Sequence, residues 1–148
     1  MLARENRRAF PGELVFVFED KDPIGGIFYE LDGKNRVIYY SGTDSDIVFP
    51  ESLHGESYSL LPNLFAAEED KSDKSIMSIS FPDNALIDEI GGGAFKNCRA
   101  LITVDFGNNC KLNSIGMFAF DGCFKLESVN FGCNNTLKTI GQSAFNRC

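Results

Sequence analysis

Residues 90–114 read IGGGAFKNCRALITVDFGNNCKLNS, residues 115–139 read IGMFAFDGCFKLESVNFGCNNTLKT, and residues 140–148 read IGQSAFNRC. The two full copies are each 25 residues long and identical at eleven positions. Unrelated stretches of average composition would share about one or two. A fixed period of this length is the signature of a solenoid, in which each unit buries its apolar side only against the next.

The identities are Ile90/Ile115/Ile140, Gly91/Gly116/Gly141, Ala94/Ala119/Ala144, Phe95/Phe120/Phe145 and Cys98/Cys123/Cys148, then Leu101/Leu126, Val104/Val129, Phe106/Phe131, Gly107/Gly132, Asn109/Asn134 and Leu112/Leu137. Most are apolar or small, while the positions between them vary among Lys, Asp, Arg, Glu, Ser and Thr. That is a constant inner lining with a free outer face, and glycine where the chain turns. Val104-Asp105-Phe106 and Val129-Asn130-Phe131 alternate in, out, in, as a half-buried strand does. A second short strand is expected over Leu112–Gly116 and Leu137–Gly141. The GxxAFxxC segment is expected to close each coil as a helical turn with Ala, Phe and Cys inward.

The pattern IGxxAFxxCxxLxxVxFGxNxxLxx resembles the BspA-like class of leucine-rich repeats, over residues 76–148 and more loosely over 45–75. The resemblance implies a surface-exposed or secreted adhesive module that meets host or matrix proteins.

Composition narrows the classes. The chain has 148 residues, 43% hydrophobic with fourteen Phe, which suits one elongated core. No apolar run approaches the length of a membrane-spanning helix. The opening MLARENRRAF carries arginines without an apolar stretch behind them and is not a signal peptide as it stands. Net charge is -7, with fifteen acids against eight bases in residues 1–75 and six of each in residues 76–148. An acidic chain without a basic stripe does not fit nucleic-acid binding.

Cys98, Cys123 and Cys148 fall one repeat apart and are expected to stack on one inner edge as small buried side chains. Cys110 and Cys133 lie in turns. With no C-x-x-C pair and one histidine, His54, distant in sequence, neither a zinc site nor disulfides are expected.

Upstream, residues 1–12 are a polar lead-in, Leu14–Phe18 reads as a strand, and residues 27–40 read as a hairpin around Asp32–Asn35. Residues 1–45 are expected to cap the open end of the solenoid, and residues 46–148 to form it. Ile47-Val48-Phe49-Pro50 matches the strand of a degenerate first coil, and Leu60–Phe65 its IGxxAF segment. Ile76, Ile79, Phe81 and Ile87 match Leu101, Val104, Phe106 and Leu112. Eleven residues separate Phe65 from Ile76 where six separate Phe95 from Leu101, which places five extra residues in the charged run AAEEDKSDKS.

The architecture expected is a short right-handed β-rich solenoid with one parallel strand per coil, a short second strand and an N-terminal hairpin cap. No catalytic constellation is present. There is no nucleophile elbow or phosphate loop motif, and Gly91-Gly92-Gly93 occupies a slot that holds Met117-Phe118 in the next copy. The chain reads as a non-enzyme without cofactor or metal. Asn134-Asn135-Thr136 is a glycosylation sequon, relevant only in a secretory compartment.

Two functions fit. One is a binding or adhesion module for a protein or extracellular-matrix partner, and the other is an intracellular scaffold within a larger protein. In either, the outward strand residues Ser78, Ser80, Thr103, Asp105, Ser128 and Asn130 form the expected ligand face. Lysines at Asp105 and Asn130 are expected to weaken binding without lowering stability. The chain stops after an IGxxAFxxC segment, so it is expected to be a fragment of a longer array, prone to end-to-end self-association through its last coil.

Overall fold

The computed structural model describes residues 5–10, 13–18, 27–30, 35–40, 44–66, 76–133 and 136–148. Two sheets run the length of the repeat region. One contains β5 (Asp46–Val48), β7 (Ser78–Ser80), β9 (Thr103–Asp105) and β11 (Ser128–Asn130), each parallel to the next and in direct register. The other contains β6 (Tyr58–Leu60), β8 (Ile87–Ile90), β10 (Ser114–Ile115) and β12 (Thr139–Ile140), again parallel. Each coil thus contributes one strand to each sheet, and the expected solenoid is present.

Alternation within the first sheet sets its sidedness. Ile47, Ile79 and Val104 are buried and Val129 is partly buried, while their strand neighbours face out. Just past each strand a phenylalanine turns inward, and these rings stack. Phe49, Phe81, Phe106 and Phe131 have successive centroids 4.7, 5.2 and 5.4 Å apart. A second column, Phe65, Phe95, Phe120 and Phe145, stacks at 5.1, 5.1 and 5.2 Å. Neighbouring parallel strands lie about 4.8 Å apart, so a ring repeated once per coil meets its copy at the distance offset stacking favours.

The GxxAFxxC segment is not a helical turn. It is a run of overlapping β-turns in which alternate amides serve different partners. The N–H groups of Ala94, Lys96 and Cys98 donate back to the carbonyls of Gly91, Gly93 and Phe95 at 3.1 Å. Those of Gly93, Phe95 and Asn97 donate onward to Met117, Ala119 and Asp121 of the next coil at 2.9, 2.8 and 2.7 Å. A helix would have turned every amide along its own axis and left the facing coil unpaired. The first turn of each segment places Asn63, Gly93, Phe118 and Ser143 at φ of 59°, 65°, 57° and 56°, the left-handed third position of a type II turn.

The glycines of the IG pair have a different reason from the turning expected of them. Gly91, Gly116 and Gly141 are not among the residues with positive φ. A Cβ on Gly116 would lie 2.4 Å from the Gly92 backbone nitrogen, and one on Gly141 2.4 Å from that of Met117. The neighbouring coil rests directly on these α-carbons.

Seven extra residues separate the first strand of the series from the second, since Ile47 and Ile79 pair where the later step is 25. Five fall between Phe65 and Ile76, mostly outside the described residues. The other two, unforeseen, fall between Phe49 and Leu60. There Leu53 and Glu56 exchange both backbone hydrogen bonds at 3.0 Å around His54 and Gly55, at φ of 53° and 80°, a two-residue type I′ hairpin.

Upstream, β3 (Ile27–Glu30) pairs antiparallel with β4 (Arg36–Tyr40), and β4 pairs parallel with β6, extending the second sheet. The turn expected at Asp32–Asn35 lies outside the described residues except for Asn35. β1 (Glu5–Phe10) is a strand where a polar lead-in was expected, pairing antiparallel with β2 (Glu13–Phe18), Phe10 opposite Glu13. Arg7 and Arg8 interrupt the apolar alternation by which a strand is read from sequence.

Candidate functional site

Register in the first sheet brings all six expected site residues together. Outward side chains form two columns: Asp46, Ser78, Thr103, Ser128 and Val48, Ser80, Asp105, Asn130. Thr103, Asp105, Ser128 and Asn130 are exposed, and Ser78 and Ser80 partly so. Asp46 and Val48 belong to the same face but were not among the expected residues. Placing Ile47 opposite Val104 already implied them, because the neighbours of an inward residue point outward. Val48 is the apolar member, 64% exposed.

Each column is partly wired along its own length. Ser78 Oγ donates to Asp46 Oδ1 across the sheet. Asp105 Oδ1 accepts the Gly107 N–H at 2.8 Å and Asn130 Nδ2 at 3.1 Å, and Asn130 Oδ1 accepts the Gly132 N–H at 2.9 Å. Asp105 and Asn130 therefore cap the turns into Gly107 and Gly132, which sit at φ of 66° and 55°. Lysine at either position removes an acceptor that the turn uses, so the expectation that such a pair leaves stability untouched does not hold. Thr103 and Ser128 make no side-chain hydrogen bond among the described residues.

A second feature is an open cleft of about 430 Å³ at the start of the other sheet, lined by Asn35, Glu56, Ser57, Tyr58, Ser59, Asp88 and Glu89. Tyr58 is buried, and burial pushes its phenol well above the usual range. Its hydroxyl donates to the Pro50 carbonyl. No histidine, cysteine or lysine lines the cleft. Among the described residues no group of three or more His, Cys, Asp or Glu could hold a metal ion, and no helix is long and apolar enough to cross a membrane.

The cysteines are free thiols. Cys98 and Cys123 are buried, as expected of the inner edge, but Cys148, expected with them, is exposed in the last coil; of the two turn cysteines Cys110 is buried and Cys133 exposed. Burial raises the thiols of Cys110, Cys123 and Cys148 above their ordinary value, which keeps them protonated and poor nucleophiles. Asp121, 4% exposed, is the one buried carboxylate among the described residues. Arg147 donates to it through Nε at 3.1 Å and Nη2 at 3.0 Å, and Asn146 Nδ2 at 3.0 Å. These hydrogen bonds, Arg147 first, hold its carboxyl below the usual range.

In fold, the chain is similar to a leucine-rich repeat protein of T. pallidum, with a TM-score of 0.65 and 21% identity over 87% of this chain and 68% of that one. It is also similar to leucine-rich repeat proteins of Bacteroides ovatus (0.61, 24%, covering 85% and 33%) and Bacteroides capillosus (0.54, 21%, covering 81% and 96%). No curated protein sequence matches it. Residues 71–148, more than half of the chain, match the model of the BspA type leucine rich repeat region (6 copies). With the 25-residue period, the paired sheets and the stacked phenylalanines already in place, the chain belongs to the BspA-type leucine-rich repeat family.

Proposed function

We propose that this solenoid is a non-catalytic adhesion module that binds a protein partner, of host or extracellular-matrix origin, through the outward face of β5, β7, β9 and β11. Repeat modules of this family serve protein interaction in general, and the adhesive role is the finer reading. The observation that carries it is the register. Four successive strands place side chains that are small and polar, Val48 apart, in two straight columns on a rigid face, and side chains fixed by a sheet lose little freedom when a partner arrives.

The test uses Thr103→Lys with Ser128→Lys, since neither side chain has a structural bond to lose. The purified chain is screened by surface binding against matrix and serum proteins. For any protein that binds, the double variant should weaken affinity by about tenfold or more with unchanged melting. Unchanged affinity removes this face as the binding surface. Protease shaving of intact cells should release the native protein, and a pool wholly protected inside the cell would overturn the adhesive role.

A further inference from the structure

The turn edge of the solenoid has a different chemistry from its strand face. Residues 92–99 and 117–124 lie one above the other there, joined by the coil-to-coil amide bonds of Gly93, Phe95 and Asn97. Met117 and Phe124 are 50% and 53% exposed. Lys96 Nζ lies 5.5 Å from the centroid of the Phe118 ring, and the guanidinium of Arg99 lies 5.5 Å from that of Phe124. Arg147 approaches the same Phe124 ring at 5.8 Å.

Over its last three coils the charge on this edge is unbalanced; the acids Glu68, Glu69 and Asp70 that follow Phe65 in the first coil lie outside the described residues. Residues 92–99, 117–124 and 142–148 hold three cations, Lys96, Arg99 and Arg147, against one side-chain carboxylate, Asp121. That carboxylate is committed to Arg147 and Asn146. Lys96 and Arg99 make no ion pair among the described residues, and Arg99 Nε is buried without a hydrogen-bond partner. The chain as a whole carries -7, so solubility alone does not account for a positive edge beside exposed aromatic surface. Arg and aromatic side chains are the groups in which binding energy concentrates, and complementary charge selects and steers the partner.

We propose that this edge docks an acidic, extended segment of a partner protein, with carboxylates on Lys96 and Arg99 and aliphatic side chains against Phe124 and Met117. The surface is separate from the strand columns and stands whether or not they bind.

The probe is a short fluorescein-labelled peptide of alternating Glu and Leu, read by anisotropy against the whole chain. Comparison peptides carry Lys in place of Glu, or Ala in place of Leu. The Glu–Leu peptide should bind, weaken as salt screens the contact, and outcompete both comparisons. Lys96→Glu with Arg99→Glu should weaken it about tenfold or more, and Phe124→Ser similarly, while Thr103→Lys with Ser128→Lys leaves it unchanged. Circular dichroism checks that each variant is folded, and the milder pair Lys96→Gln with Met117→Gln, at a half-buried and an exposed position, replaces any that is not. Equal binding of the Glu and Lys peptides, or of the Leu and Ala peptides, would overturn the proposal, as would a folded charge-reversed variant that binds normally.

Discussion

The Cys123 thiol donates to the Phe95 carbonyl of the preceding coil, at 3.2 Å. Cys98 does the same to Phe65 at 3.5 Å and Cys148 to Phe120 at 3.3 Å. The repeated cysteine is therefore a donor to the coil behind it as well as a small buried group. Serine keeps a donor at that point, whereas valine keeps apolar volume without one. Cys123→Ser is expected to be more stable than Cys123→Val, by about 1 kcal/mol, in urea denaturation. The reverse order would mean that the thiol acts only as apolar volume.

Phe120 is stacked between Phe95 at 5.1 Å and Phe145 at 5.2 Å and is fully buried. Phe120→Ala leaves a void whose walls are rings fixed by their own coils, so it cannot collapse. The expected loss is about 3–5 kcal/mol, measured by denaturant unfolding. An unchanged midpoint would show that the column is not packed as described.

Gly116 tests close approach separately from turn geometry. Its φ is ordinary, yet a methyl group there would meet Gly92 backbone atoms at 2.4 and 2.7 Å. Gly116→Ala should destabilise by about 3 kcal/mol or more, since backbone, unlike a side chain, has no rotamer to escape into. Gly55→Ala is the contrast. A Cβ there has nothing within 4 Å, so its loss comes only from left-handed backbone, about 1–2 kcal/mol. Equal losses for the two would remove the distinction.

Asp121 makes the last coil acid-sensitive. Hydrogen bonds from Arg147, then Asn146, together with the charges of Arg147 and Lys96, depress its folded pKa against the opposing effect of burial. The unfolded chain then binds a proton more readily than the folded one. The contribution is complete above the ordinary aspartate value of about 3.9 and is lost as pH falls through the lower folded value. Unfolding free energies of the wild type and Asp121→Asn should differ at neutral pH and converge toward acid. A difference that persists undiminished at low pH would mean that the carboxylate contributes no charge-dependent stability.

Strand positions were legible because a period of 25 and an alternation of two fix both the coil and the side-chain direction. Val104 and Phe106 could point nowhere but in. The site face followed from the same logic, since Thr103 and Asp105 are outward by parity alone. What Asp105 does there was not legible. Its bonds to Gly107 and Asn130 depend on a left-handed turn and on the coil above, and neither leaves a mark in the local pattern. The helical reading of GxxAFxxC failed for a related reason. Ala, Phe and Cys at those spacings suit a helix viewed alone, but the segment's amides are shared with its neighbours, and that requirement overrides local preference. Phe118 shows the strength of the override, because it holds φ 57° in a slot occupied by Gly93 in one neighbouring coil and Ser143 in the other.

The amide of the IG glycine crosses to the coil behind at the same point each time: Gly91 to Leu60 at 3.0 Å, Gly116 to Ile90 at 2.8 Å and Gly141 to Ile115 at 2.7 Å. Removing residues 90–114 as a block would bring Ile115 to the place of Ile90, with a counterpart in register for each bond lost. Adding a block does the reverse. Unequal recombination between copies of the gene can therefore lengthen or shorten the protein by whole coils without inventing a contact. The reach of its surfaces is thus heritable in steps of about 4.8 Å, a dimension on which selection can act without first repairing the fold.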